Sequence, residues 1–418
     1  QVMNNDGAPG IDGMKAEELF NYLVGHWQEL QTTVLEGKYR PEAVRRVEIP
    51  KPNGGVRQLG IPTVIDRMLQ QAIAQELDKD FDAIFSETSY GFRKGRSAHQ
   101  ALGKAIEYLN EGRTYIVEID LEKFFDRVNH DKLMYLLSRH IEDKRVLRLI
   151  RRYLESGVME HGIIVRNSEG TPQGGPLSPI LSNIMLDELD KELESRGHKF
   201  VRYADDISIF ISSQRGAERI LTSITDWIER RLKLKVNRDK SGIRRPSDGN
   251  LLGFGFWHDK GGEIKPRISI KSYTRLKEKI KRLTGRSWSV SMDERLLKLS
   301  QVTRGWVNYF YKANARQHLL RLDEWIQARL RMCIWKQWKK VRTRVANLRK
   351  LGANPQKAYE WANTRKGYWR TAHSPILQTT ITTERLQQKG YVPLMDTYTL
   401  RRKTLMNRRD TRTVRPVV

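Results

Sequence analysis

Asp205 and Asp206 stand side by side within an otherwise apolar run, Phe200-Val201-Arg202-Tyr203-Ala204-Asp205-Asp206-Ile207-Ser208-Ile209-Phe210. Adjacent carboxylates repel by roughly 4 kcal/mol at about 4 Å and an effective dielectric near 20, so the pair requires a cation. By itself, an Asp-Asp turn between β-rich runs is an ordinary hairpin. A second acidic strand changes its meaning: Tyr115-Ile116-Val117-Glu118-Ile119 alternates as a strand and ends at Asp120, after which a helical pattern begins. Alone, Asp120 reads as a helix N-cap. Placed on adjacent strands, Asp120, Asp205 and Asp206 form a hard-oxygen site suited to Mg²⁺. Two such ions about 3.5–4 Å apart activate an attacking hydroxyl and stabilise the leaving oxygen of an in-line phosphoryl displacement. Asp120 and Asp205 are the expected direct ligands. Asp206, pointing differently from its neighbour along a strand, is the weaker one.

The elements that must position these carboxylates are legible around them. Arg45 to Pro62 contains Asn53-Gly54-Gly55 between two apolar-containing runs, a β-hairpin pattern with Lys51 and Arg57 on its two arms. Helical runs follow over 66–78 and 98–110, joined through Ser89-Tyr90-Gly91-Phe92-Arg93-Lys94-Gly95-Arg96-Ser97. The interleaved aromatic and basic residues of that link suit backbone contact and base stacking; a buried Phe92 with solvated arginines is the equal alternative. In Gly170-Thr171-Pro172-Gln173-Gly174-Gly175-Pro176-Leu177-Ser178-Pro179, the paired glycines permit close backbone approach to a ligand. Ser178-Pro179 supplies an N-cap and an N1 proline for a helix whose core stripe runs through Leu181, Met185, Leu189 and Leu193. An amphipathic helix is expected over 217–232, then Leu234 to Ser241 with Lys240, then Leu252-Gly253-Phe254. From Ser272 the period becomes helical, with stripes through Tyr273, Leu276 and Ile280, through Leu299, Val302, Trp306 and Phe310, and through Leu322, Ile326, Leu330 and Cys333. Three such helices make a small bundle.

Charge is divided unequally along the chain. The net charge is +27 and the pI about 10.1. From Lys265 onward there are 37 Lys and Arg against 9 Asp and Glu, whereas the first 264 residues hold 39 against 40. A surplus confined to about a third of the chain would self-repel without a polyanion, which points to nucleic acid. Seven of the ten tryptophans lie between 288 and 369, so aromatics and cations mingle there. Stacking on unpaired bases is one use of them, and packing of a small basic domain another. At 418 residues the chain can bury more than one core. It has no apolar run of membrane-spanning length and no signal-peptide pattern, so a cytoplasmic protein without a membrane partner is expected. Its one cysteine, Cys333, excludes an internal disulfide or a cysteine-pair zinc site within these residues.

Several of these motifs, in order and spacing, resemble the reverse transcriptases encoded by bacterial group II introns, the intron maturases. The likeness runs from about Asn5-Asp6-Gly7-Ala8-Pro9-Gly10 to about Leu405 and is carried by Asp120 with Phe124-Phe125-Asp126, by Gly170 to Pro179 and by Tyr203-Ala204-Asp205-Asp206. Without cysteine pairs, the resemblance is to the endonuclease-lacking, class C-like branch. It implies an α+β right-hand polymerase with fingers (residues 1–113), a palm with interleaved fingers elements (114–264), a helical-bundle thumb or maturase X domain (265–345) and a small basic DNA/RNA-binding domain with a tail (346–418). The sequence enters the family pattern almost at once, at Asn5 to Gly13, whereas relatives have a further N-terminal helical stretch, so the fingers are expected to be N-terminally truncated. The last dozen residues, 407–418, lack apolar periodicity and are expected to be disordered.

The implied activity is RNA-directed DNA polymerisation with two Mg²⁺ ions, Mn²⁺ being a substitute, on an RNA template with a DNA primer and deoxynucleoside triphosphates. The resemblance places Lys51, Arg57 and Lys240 near the triphosphate, and Gln173 with Gly174 and Gly175 beside the nascent base pair. Phe124, with Phe125, falls under the sugar, where it would crowd a 2′-hydroxyl. The Leu121 backbone carbonyl joins the metal ligands, while Arg93, Arg96, Tyr203 and Gly253 contact template or primer. Lys339, Lys340, Arg342, Arg344, Arg365, Lys366 and Arg370 meet intron RNA or target DNA. A retron, diversity-generating or CRISPR-associated reverse transcriptase would share the palm, and a splicing cofactor with a vestigial polymerase would keep the RNA-binding part.

Overall fold

The structure, a computed structural model, describes residues 2–5, 7–50, 54–160, 163–165, 169–171 and 174–413. Its strands, in chain order, are β1 Val44–Pro50, β2 Val56–Ile61, β3 Tyr115–Ile119, β4 Val158–Glu160, β5 Ile163–Val165, β6 Lys199–Tyr203, β7 Asp206–Ile211, β8 Gly242–Arg244, β9 Phe254–His258 and β10 Ile264–Ile268. With helices on and between these sheets and a helical region after them, the fold is α+β. The chain divides into two compact units, Gln1–Gly249 and Asn250–Val418.

The first unit is built on the sheet β6-β7-β3-β8, all antiparallel. Ile116, Val117 and Ile119 of β3 and Ile207, Ile209 and Phe210 of β7 are buried. The helix Ser178–Ser195 packs there through Leu181, Met185, Leu189 and Leu193, as its stripe predicts. Asn129 caps the helix His130–Ser138 by accepting from the Lys132 N–H at 2.8 Å, and Ser97 caps Ala98–Asn110 in the same way at 3.4 Å. Ser178 does not cap its helix. It is already the first helical residue, Leu177 occupies the cap position, and Pro179 follows in the first turn. The second sheet has the order β2-β1-β4-β5, with β1 and β2 antiparallel (Pro50 opposite Val56) and β1 and β4 parallel. Lys51 and Asn53 of this hairpin's loop, like Gln173, lie outside the described residues.

In the second unit, β9 and β10 form a hairpin followed by helices Ile270–Leu283, Met292–Phe310 and Arg316–Gln337. Leu276, Ile280, Leu296, Leu299, Val307, Leu322, Ile326 and Leu330 are buried, so the helical stripes form a core. Packing does not pause at 345/346. Asp323 accepts from the Tyr391 hydroxyl at 2.6 Å and from the Leu394 N–H at 2.8 Å, and the Tyr398 hydroxyl donates to the Ala313 carbonyl at 2.9 Å. The residues after 346 are thereby tied onto the preceding helices. The helix Leu394–Thr413 continues into the segment expected to be disordered.

Candidate active site

The catalytic-type turn is a two-residue hairpin. Tyr203 pairs with Asp206 across β6 and β7, leaving Ala204-Asp205 as the apex. Ala204 takes the left-handed conformation at φ +56°, which a residue with a Cβ adopts only when its surroundings hold it there. Asp206 is therefore the first residue of β7, not part of the loop. Asp120 follows β3, the neighbour of β7, so the topology brings all three carboxylates to one end of one sheet. The Asp120 backbone is fixed on both sides: its N–H donates to Ser241 Oγ at 2.9 Å, and its carbonyl accepts from the Asn237 N–H at 2.8 Å.

These residues open on a cleft of about 990 Å³ in the first unit. Asp120, Leu121, Asp205 and Asp206 line it together with Arg57 from β2, Phe92, Phe124, Phe125, Gly174, Gly175 and Lys240. Its electrostatics are those of crowded acids. The Asp206 side chain is open to the cleft, but the walls thin the water around it. This, with the charges of Asp205 and Asp120, pushes its carboxyl up to about 6. Asp205 is also raised, first by loss of solvent and then by Asp120; Arg57 and Lys240 pull the other way. Lys240 Nζ stands 3.5 Å from Asp120 Oδ1, a weak, exposed pair in which the ammonium partly offsets the acids.

Among the described residues, no three His, Cys, Asp or Glu side chains converge closely enough to hold a metal ion unaided. The donor set nevertheless fits a hard divalent ion: its oxygens are carboxylates, and the negative charge of Asp120 adds to loss of solvent in raising the carboxyls of Asp205 and Asp206.

Other expected site residues stand differently. Of the two alternatives, Phe92 stands open, as base stacking needs, while Arg93 is turned inward. Phe92 is 47% exposed and lines the cleft, whereas Arg93 is 8% exposed. Arg93 donates to Asp82 Oδ1 at 2.6 Å and to the Ser86, Ser89 and Asp82 carbonyls at 2.6, 3.1 and 2.8 Å. Held in this way, it organises its own loop. Arg96 pairs with Glu87 at 2.5 Å over the Tyr90 ring. Phe124 is 3% exposed in the core, and Phe125, half-buried, presents more surface to the cleft. The glycines chosen for ligand approach are needed by the protein itself. A Cβ on Gly174 would stand 2.6 Å from the Gly60 carbonyl oxygen, and one on Gly175 would meet the Gln70 side chain. In the second unit, a Cβ on Gly253 (φ +83°) would stand 2.8 Å from Ser272 Oγ. Tyr203, half-buried at the end of β6, is outside the cleft lining.

Of the basic residues assigned to RNA or DNA, Lys339, Lys340, Arg342, Arg365, Lys366 and Arg370 are exposed. Arg344 instead braces the fold. It donates to the Trp338 and Ala362 carbonyls at 2.9 and 3.3 Å and lies 4.6 Å from the Trp335 ring. Among the residues missed in sequence are Asn183 and Asp190, both buried beneath the hairpin. Their signal was available as polar residues at helical spacing, Asn183, Asp187 and Asp190, in a helix otherwise rich in buried apolar side chains.

A cleft lined by three carboxylates at one end of an antiparallel sheet, with Arg57 and Lys240 in the same lining, defines a nucleotidyl-transferring palm. The family model for reverse transcriptase (RNA-dependent DNA polymerase) matches residues 49–256, and that for the group II intron maturase-specific domain matches residues 273–352. The chain is 34% identical to Protein YkfC of Escherichia coli over a 291-residue alignment covering 60% of this chain and 76% of that one. It is 40% identical to the group II intron-encoded protein LtrA of Lactococcus lactis over 305 residues, 57% of this chain and 51% of that one. The retron Ec73 reverse transcriptase of Escherichia coli aligns at 26% identity, covering 69% of this chain and 90% of its own length. The chain belongs to the group II intron reverse transcriptase/maturase family. It spans about half the length of LtrA. Reverse transcriptases work with divalent metal ions, and the maturase-specific domain associates the family with intron RNA. Among the described residues, no helix is long and apolar enough to cross a membrane.

Proposed function

We propose that this protein extends a DNA 3′-hydroxyl on an RNA template, and that it binds its parent intron RNA to assist splicing and the intron's insertion into target DNA. The observation that carries the first half is the convergence of Asp120, Asp205, Asp206, Arg57 and Lys240 on one cleft. Asp120 and Asp205, with Asp206 and the Leu121 carbonyl, would hold two Mg²⁺ ions. When bound, these supply activation of the attacking hydroxyl and charge neutralisation at the leaving oxygen. Arg57 and Lys240, both in the cleft lining, offer positive charge to a triphosphate; Lys51 and Gln173 are assigned to the nucleotide on sequence grounds only. Phe125, more open than Phe124, is the better placed of the two to crowd a 2′-hydroxyl. Phe92 offers a stacking face where Arg93 and Arg96 had been expected to grip template.

On this reading the first unit carries fingers and palm, and the second carries thumb and basic elements. The exposed cations at 339, 340, 342, 365, 366 and 370 are its contacts to RNA or DNA. The single cysteine leaves these 418 residues without a cysteine-pair metal site, and a cytoplasmic setting is part of this reading. The test is primer extension on RNA, with and without Mg²⁺, using Asp205→Asn combined with Asp206→Asn. Extension should vanish while affinity for intron RNA stays. DNA synthesis by the double variant would refute the site.

A further inference from the structure

Beneath the Ala204-Asp205 apex lies a polar network that is fully shut off from water. Arg202, on β6, is 0% exposed, as are Asp190 and Asn183 of the helix Ser178–Ser195. Arg202 Nε and Nη2 donate to the Asp190 carboxylate at 2.8 and 2.5 Å. Its Nη1 donates to Asn183 Oδ1 at 2.9 Å and to the Ala204 carbonyl at 3.1 Å. Asn183 Nδ2 donates in turn to the Gly91 carbonyl at 3.0 Å. The segment carrying Gly91 is laced to β6 by backbone bonds: the Tyr90 N–H donates to the Arg202 carbonyl at 2.9 Å, and the Arg202 N–H donates to the Thr88 carbonyl at 3.0 Å. Gly91 lies so close to the apex that a Cβ on it would stand 2.1 Å from the Ala204 nitrogen.

A buried ion pair of this kind adds little net stability, because desolvation cancels much of its attraction. What it supplies is geometry. The planar guanidinium fork fixes three partners at once. One of those partners is the carbonyl of a residue in an unfavourable left-handed conformation.

We infer that Arg202, Asp190, Asn183 and Gly91 form a positioning device that holds the Ala204-Asp205 turn and thereby sets where Asp205 and Asp206 stand. This rests on the reading of those aspartates as the reacting carboxylates. None of the four touches substrate; they act through the turn. Arg202 reaches it directly, Gly91 limits it sterically, and Asn183 joins the two. Asp190 holds the guanidinium in register.

The test uses the full chain with Asn183→Leu and Arg202→Lys. Lysine retains a charge opposite Asp190 but cannot bond Asn183 and Ala204 together. Leucine keeps the volume of Asn183 and removes both of its bonds. Displacing reacting groups by about 1 Å costs of the order of 100-fold in rate. Accordingly, kcat for primer extension should fall by about that factor with KM for the nucleotide unchanged. Mn²⁺ titrated into the free chain and followed by electron paramagnetic resonance should bind more weakly. Leu189→Ala, a cavity on the same helix, should lower the melting temperature while keeping kcat. The inference is overturned if Asn183→Leu keeps wild-type kcat and Mn²⁺ affinity. It is also overturned if Leu189→Ala loses as much kcat for the same loss of melting temperature. Should Arg202→Lys fail to fold, Asn183→Leu decides. If Asp205→Asn itself retains activity, the site reading fails and takes this inference with it.

Discussion

Asp206 is expected to weaken the fold that carries it, and the effect should be visible as a pH-dependent gain on its removal. The displacement of its carboxyl from the ordinary 3.8 to about 6 corresponds to about 3 kcal/mol at ~1.4 kcal/mol per pH unit. Because the side chain is open to the cleft, solvent screening cuts this to about 1 kcal/mol. The sign follows from linkage. A carboxyl whose pKa is raised on folding binds its proton more tightly in the folded chain. Its stabilising contribution is complete below the unfolded value and is lost as pH rises through about 6. Asp206→Asn has no such dependence. In chelator-treated protein the variant should therefore match wild type below about pH 4 and exceed it above pH 6 by about 1 kcal/mol. In melting temperature this is about 2–4 °C for a unit of this size.

The assay is thermal unfolding from pH 3.5 to 8 in excess chelator, repeated at pH 7.5 with Mg²⁺. Adding Mg²⁺ should raise the wild-type midpoint more than that of the variant, since the cation relieves the repulsion that asparagine has already removed. A variant less stable than wild type at pH 7.5, or a difference that does not change with pH, would refute the argument. Either result would mean that Asp206 is held by favourable contacts rather than crowded by its neighbours.

Other outcomes follow from the same geometry. Arg57→Ala should raise KM for the nucleotide about tenfold with little change in melting temperature, because Arg57 is exposed on β2 yet acts on Asp205; steady-state kinetics would show it. Phe125→Ala should relax discrimination against ribonucleotides in competition assays. Phe124→Ala should instead cost about 3–5 kcal/mol in denaturant unfolding, because that ring is core. Replacing Arg365, Lys366 and Arg370 together with Gln should weaken RNA binding and lower its salt slope by up to about 3, with extension of an annealed primer retained. Truncation after Ala346 is a poorer probe, because it also strips Tyr391 and Tyr398 from their partners Asp323 and Ala313.

The sequence displayed the periodic and charged parts of this protein well. The stripe Leu181, Met185, Leu189 and Leu193, the three helices after Ser269, and the β3 and β6–β7 strands all follow from patterns local to the chain. The carboxylates were legible for another reason: paired acids in apolar strands are costly enough to need an explanation. What escaped the reading is set by contacts between distant segments. Nothing local distinguishes Arg93 from Phe92, since either could turn inward. The choice is made by the Asp82 carboxylate and three carbonyls that only the folded loop assembles. The glycines at 174, 175 and 253 signalled a close approach, but the sequence could not say to what, and the approaching groups belong to the protein. Ser178 illustrates a one-residue boundary: a cap and a first-turn residue look alike until the backbone is seen.

The left-handed Ala204 has a consequence for the order in which this protein becomes competent. Strands β6 and β7 are neighbours in the chain and can pair early, since closing a two-residue loop costs little entropy. The apex they share cannot settle at that stage. Its bed is made by Gly91 and Asn183, separated by 92 residues, and by Arg202 once Asp190 has arrived. Such long-range docking is the slow part of folding. During refolding the hairpin should therefore be present while the acids are still misplaced. Catalytic competence then reports completion of the first unit's core rather than formation of the strands that carry the aspartates.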